Sequence, residues 1–263
     1  MASVRLRPPH IERHTPTPRR PARWAAPLVL AAILACEAAP RAQEEQGPYR
    51  SEVDEGLGIA VAIVVDNSGS MEDGAPGDGQ PKYEVAREAV REMLAATDSF
   101  VASRPDLPVK VALFHFAGRA EVVLPVQPYD AALVSEALDR IPFPDGSTAI
   151  GRAMRLATEE LYRSGVFRKY MVVITDGENT AGPDPAEEAA VIHRRSGRSV
   201  RMHFVAFDTD PAKFGFLREV DGGVLAAADA ASLREGLDEL YRREILAEAP
   251  KVEPPPQEPD SAR

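Results

Sequence analysis

At 263 residues the chain holds one large domain or two small ones, and a hydrophobic share of 44% puts it among globular proteins. Its net charge of −10 is unevenly spread: before Cys36 six arginines face a single acid, so the rest carries −15, and an acidic body repels phosphate backbones, which argues against nucleic acid as a partner. The single cysteine excludes an internal disulfide framework and any cysteine-based zinc cluster.

The first 23 residues are rich in Arg and Pro and cannot build a core. Trp24–Ala35 is an apolar run of twelve residues, short of the about 20 that cross a bilayer. A basic flank, a short apolar run and then small residues make a secretory pattern, so residues 1–36 read as a signal or targeting segment. Cys36 closes the sequence Ile33-Leu34-Ala35-Cys36, which resembles a bacterial lipobox. It is the expected lipid-bearing residue of an exported, periplasmic or membrane-anchored lipoprotein. The alternative is plain secretion, with cleavage at a small residue such as Ala38 or Ala39. Either way, contact with a membrane is expected only through an N-terminal lipid or the signal itself.

Residues 37–56 are polar and read as a linker. From there to residue 246 strand and helix signals alternate. Ile59–Val65 is a continuous apolar run, the mark of a strand buried on both faces. Lys82–Arg104 carries a helical stripe of Ala86, Ala89, Val90, Met93, Leu94 and Val101. Val109–Phe116 and Glu121–Leu124 flank Ala117-Gly118 as a hairpin. A short helix over Ala131–Ile141 follows Asp130 as N-cap, and another spans Ile150–Tyr162. Tyr170–Thr175 is a strand, and Asp184-Pro185-Ala186-Glu187 opens the next helix. Val200–Phe207 is a strand, Gly223–Ala227 a weak last one, and Ser232–Ile245 the closing helix. The tail, residues 247–263, is dense in Pro and Glu and is expected to be disordered.

Strands separated by helices imply an α/β, Rossmann-like fold: a mostly parallel central sheet with helices on both faces. Ligands of such sheets bind beyond the carboxyl ends of the strands. There the chain reads Asp66-Asn67-Ser68-Gly69-Ser70. In an extended segment, residues two apart point the same way, which aims Asp66, Ser68 and Ser70 at one point. Taken alone, the motif reads more readily as a capped turn. A second carboxylate, Asp176, ends the Tyr170–Thr175 strand, and Gly146-Ser147-Thr148-Ala149-Ile150-Gly151 precedes a helix that Ser147 or Thr148 could cap. Together these loops offer only oxygen donors, two of them charged, a set that suits a hard cation such as Mg²⁺ and not zinc or copper. The loop Glu72–Pro81, with Asp73 and Asp78, reads as mobile, and Asp145 as solvated.

D-N-S-G-S-M after a buried strand, G-S-T-A-I-G before a helix and V-V-I-T-D-G ending a later strand resemble the metal-ion-dependent adhesion site of von Willebrand factor A domains. The resemblance spans residues 57–246. It implies that Ser68, Ser70 and Thr148 contact the metal directly and that Asp66 and Asp176 act mainly through waters. It also implies one antiparallel edge strand, which the hairpin supplies, and Mg²⁺ as the cofactor, with Ca²⁺ or Mn²⁺ as alternatives. Glu178 and Asn179 would rim the site.

The expected function is a divalent-cation-dependent protein-binding module for adhesion or assembly in the cell envelope. Its cation would coordinate an acidic side chain of another protein, and no catalytic role is expected. A metal-dependent hydrolase such as a phosphoesterase is the alternative, but Glu178 is the sole base near the site and no hydrolase or nucleotide-binding motif is present. A structural domain with a vestigial metal site is the third reading.

Overall fold

The computed structural model describes Tyr49 and residues 56–247. The targeting segment, Cys36, most of the 37–56 linker and all of the tail after Ala247 lie outside the described residues. The strands are β1 (Gly56–Asp66), β2 (Val109–Phe116), β3 (Ala120–Pro128), β4 (Val166–Thr175), β5 (Val200–Phe207) and β6 (Gly223–Ala227). The α-helices are α1 (Lys82–Ser103), α2 (Ala131–Asp139), α3 (Ile150–Arg163), α4 (Pro185–Arg195) and α5 (Ala230–Glu239). They build a six-stranded sheet in the order β3-β2-β1-β4-β5-β6, parallel throughout except for the β2–β3 pair. This is the von Willebrand factor A fold.

The core follows from strand alternation. In β1, Ile59, Val61, Ile63 and Val65 join a cluster with residues of α1, α2 and α5, whereas Ala60, Ala62 and Val64 join one with residues of α3 and α4. All seven are essentially inaccessible, which is why the strand reads as an unbroken apolar run. The chain leaves β1 for β2 on one side and returns through α3 to β4 on the other. The strand order therefore reverses at β1 and opens a crevice at the carboxyl ends of β1 and β4.

Local chemistry sets the helix starts. Asp130 accepts from the amides of Ala132 and Leu133 at 2.9 and 3.0 Å. Asp184 accepts from Ala186 at 2.7 Å with Pro185 at the first turn. Asp229 and Ser232 form a reciprocal capping box that starts α5 two residues before the expected Ser232. A π-helical stretch over Leu240–Leu246 continues α5 to the expected end.

Several expectations need correction. β3 runs on to Pro128, because an edge strand tolerates Pro125 and Pro128 where a central one would not. β4 begins at Val166, four residues before the apolar run, and its Lys169 is nevertheless buried. Helical 3₁₀ turns over Pro211–Val220 carry no clear periodicity and were not expected. Val101 lies off the buried stripe of α1, 36% exposed. Neither Ser147 nor Thr148 caps α3, whose N-cap position is Ala149, without a side-chain bond. The Glu72–Pro81 loop is anchored: Met71 and Ala75 are buried, Ala230 N donates to the Pro76 carbonyl at 3.2 Å, and Arg234 pairs with Asp78 at 3.2 Å.

Candidate functional site

Three loops meet at the crevice, tied to one another through backbone. Gly69 N donates to the Gly146 carbonyl at 3.1 Å and Asp145 N to the Asn67 carbonyl at 3.0 Å. Thr180 and Ala181 donate their amides to the Thr148 carbonyl at 2.8 and 3.0 Å, and Thr148 N donates back to the Thr180 hydroxyl at 2.8 Å. Gly118 lies close beside them: a Cβ there would stand 2.9 Å from the Ser147 hydroxyl oxygen, which would have to turn aside.

Within this frame the side chains form a continuous hydrogen-bonded chain. Asp66, fully buried, accepts from Ser68 N at 2.8 Å on Oδ1 and from the Thr175 hydroxyl at 2.5 Å on Oδ2. The Ser68 and Ser70 hydroxyl oxygens are 3.3 Å apart. Ser70 Oγ donates to Asp176 Oδ1 at 2.7 Å. The extended-chain argument for Ser68 and Ser70 holds only for Ser68, which is extended; Gly69–Glu72 is a 3₁₀ turn, and the turn brings Ser70 back beside Ser68. Thr148 is buried at the loop junction described above.

The sequence reading missed a cation in this chain. Lys82, the first residue of α1, is buried, with Nζ 3.1 Å from Asp176 Oδ2 and 2.9 Å from Asp208 Oδ2. Burial alone would lower its pKa, but the bonds to Asp208 and Asp176 outweigh burial and hold it above its ordinary value. Asp208 follows β5 as Asp66 ends β1 and Asp176 follows β4, so an acid at a strand's carboxyl end was a signal that could have found it. It stands at φ 50°, a left-handed conformation that Asp tolerates. Nothing in the sequence marks Lys82.

Burial is the main reason that the Asp66 carboxyl is raised to about 6; the bonds from Thr175 and Ser68 oppose it, and the charge of Asp176 adds to it. The expected rim is less uniform. Glu178 is exposed and pairs with Lys213 at 3.4 Å. Asn179 is half-buried and donates to the Pro183 carbonyl at 3.1 Å. Asp145 is exposed, as expected. Phe143 was not anticipated: it is 61% exposed beside the site, edge-on to Tyr83 at 5.3 Å, and its carbonyl accepts from Asn67 Nδ2 at 3.3 Å.

The donor set fits a hard cation. The donors gathered there are oxygens of Asp66, Ser68, Ser70 and Asp176, with no sulfur or imidazole among them. The two carboxylates spend their oxygens on hydroxyl, amide and ammonium donors, and Ser70 gives its proton to Asp176. Ser68 is then the donor to Ser70, which keeps a further lone pair for a cation, as does Ser68. Among the described residues, the buried amide oxygens Asn67 Oδ1 and Asn179 Oδ1 also have no partner.

Residues 61–178 match the von Willebrand factor type A domain family. An uncharacterised protein of Bacillus subtilis, YwmD, is 28% identical over 164 residues, covering 57% of this chain and 68% of that one. The PilB minor pilin of Streptococcus sanguinis superposes with a TM-score of 0.59 at 15% identity over 77% of this chain, which spans 63% of that pilin. BatB of Bacteroides thetaiotaomicron superposes at 0.54 and 21% identity, over 72% of this chain and 99% of that one. At such identities these structures speak for the fold.

Proposed function

Because residues 61–178 match the von Willebrand factor type A domain family, we propose that Asp66, Ser68, Ser70, Thr148 and Asp176 form a metal-ion-dependent adhesion site and that the domain is a cation-dependent protein-binding module, not an enzyme. The observation that carries this reading is the unbroken chain from Thr175 through Asp66, Ser68 and Ser70 to Asp176, built across two neighbouring strand ends. Ser68, Ser70 and Thr148 would supply neutral oxygens, and Asp66 and Asp176 would orient them and balance charge from behind. When bound, Mg²⁺ supplies an electron-poor coordination position that a partner's Asp or Glu fills. Exposed Phe143, whose carbonyl is held by Asn67, would offer an apolar contact to a residue flanking that carboxylate, and Glu178 and Asn179 would complete the rim.

On this reading the domain works in the cell envelope, exported by residues 1–36 and carrying a lipid on Cys36. Fractionation of wild type and Cys36→Ala should then differ, and equal recovery in the soluble fraction removes the lipoprotein reading. The metal reading is tested by calorimetric titration of Mg²⁺ into wild type and Asp66→Ala, with folding followed by circular dichroism. Binding by wild type and none by the folded variant is expected. A wild type that takes up no Mg²⁺ or Mn²⁺ at millimolar concentration would overturn it.

A further inference from the structure

The commitment of Asp176 decides what kind of site this is. Its carboxylate has one oxygen on the Ser70 hydroxyl at 2.7 Å and the other on Lys82 Nζ at 3.1 Å. The side chains of Asp176 and Lys82 are 1% and 8% exposed, so water does not compete freely for either contact. We infer that Lys82 is a positioning residue that holds Asp176 away from the cation, lowering the affinity for the metal while keeping the metal receptive to a partner's carboxylate. The inference rests on the adhesion-site reading.

The argument is one of charge and reach. A carboxylate freed from Lys82 could turn Oδ2 toward the cation and become a direct anionic ligand. Such a ligand would bind Mg²⁺ more tightly but would quench the charge that attracts a second carboxylate. Lys82 prevents this, and its own positive charge opposes a nearby cation. Asp208, 2.9 Å from Nζ on the other side, shares the lysine and moderates its pull on Asp176. Asp208 is 36% exposed where Asp176 is 1%, so it can be changed with less disturbance to the packed site.

Lys82 and Asp208 therefore give variants of opposite sign. Lys82→Met keeps the length and apolar stem and removes the charge. It should bind Mn²⁺ about tenfold more tightly, as expected for removing one unit charge held near the site. Relaxation of acetate protons by the bound Mn²⁺ should show weaker acetate uptake. Asp208→Asn leaves Lys82 wholly to Asp176 and should weaken Mn²⁺ binding. Lys82→Arg should stay close to wild type. A residue that only supported the fold would weaken metal binding in every variant, so weaker Mn²⁺ binding by Lys82→Met overturns the inference. If Lys82→Met does not fold, Asp208→Asn still decides, because equal or tighter Mn²⁺ binding there removes the tether. Failure of wild type to bind Mn²⁺ at all would instead sink the adhesion-site reading itself.

Discussion

Among the described residues two lysines are buried, one at each end of the sheet, and their surroundings differ. Lys82, at the carboxyl end, sits between the carboxylates of Asp176 and Asp208. Lys169, at the amino end, lies 4.9 Å over the ring of Tyr162. Around it is a cavity of about 580 Å³ lined also by Tyr49, Phe167, Arg168, Arg198 and Arg201. Tyr49 stacks on Tyr162 at 4.8 Å, and Arg195 stands 3.9 Å over the Tyr49 ring. At the carboxyl end the charges are fixed by directional hydrogen bonds to other charges, within the chain of acids and hydroxyls; at the amino end cations lie on ring faces, at the other end of the sheet from that chain. Perturbing the carboxyl end should therefore appear in proton and metal linkage, and perturbing the amino end in stability alone.

The largest effect expected is pH dependence through Asp66. Its pKa rises from 3.8 to about 6 on folding, so the native state holds the proton more tightly than the unfolded chain. The stabilisation is fully present below pH 3.8 and is lost as pH rises through about 6. By neutral pH the loss amounts to about 3 kcal/mol in EDTA. Asp66→Asn should flatten that slope in urea melts between pH 4 and 7. Mg²⁺ should offset the loss in wild type alone, because it binds the ionised form. A wild type equally stable across that range in EDTA would show that Asp66 does not carry this burden.

Next is Thr175→Val, which keeps the shape and removes the donor on Asp66 Oδ2. A bond to an ionised carboxylate contributes about 2 kcal/mol. The loss should be larger at pH 7 than at pH 4, where Asp66 is protonated, and the Asp66 midpoint should move further up. An equal loss at both values would mean that the bond is blind to the charge.

The contrast between the two ends also explains what the sequence could and could not say. The carboxyl end was legible because β1 is an uninterrupted apolar run that must be buried on both faces. Asp66 and Asp176 stand directly after such runs, which puts both acids at the carboxyl end of the sheet. Thr148 needed the resemblance, because a threonine shortly before a helix reads as an ordinary cap. What joins its loop to that of Asp176 is backbone bonding from Thr180 and Ala181, invisible in one dimension. Lys82 was illegible because a lysine at a helix start is normally solvated, and the two acids that hold this one, Asp176 and Asp208, come from loops far away in the chain. Lys169 hid the start of β4 for the same reason: a charged residue lowers the hydrophobic pattern even where its stem is buried on a ring.

At the amino end, Tyr49→Ala removes the stack on Tyr162 and the ring under Arg195 while the chain remains anchored by Tyr49 N on the Arg195 carbonyl at 3.1 Å. Pairs of this kind contribute about 1 kcal/mol. Thermal melts should record that loss, with Mg²⁺ affinity unchanged. A change in Mg²⁺ affinity would show that the two ends are coupled and would break the comparison.

The smallest effect on the fold, and the most selective on binding, is expected from Phe143→Ser. The ring is 61% exposed and stands edge-on to Tyr83, and its carbonyl, which accepts from Asn67, survives the substitution. Stability should fall by about 0.5 kcal/mol, the low end for an aromatic pair, because the ring is mostly exposed. Mg²⁺ affinity should also hold, since no atom of the side chain belongs to the hydrogen-bonded chain. What should change is recognition of whatever flanks a bound carboxylate. A ring that buries a few tens of Å² against a neighbouring apolar residue contributes about 1 kcal/mol, or about fivefold in affinity. Wild type loaded with Mn²⁺ should therefore prefer an acidic peptide with leucine beside its aspartate to one with glycine there, and Phe143→Ser should lose that preference while binding both. If the variant keeps the preference, the apolar contact lies elsewhere on the rim, and the loop between α2 and α3 serves only to hold Asn67 and Thr148 in place.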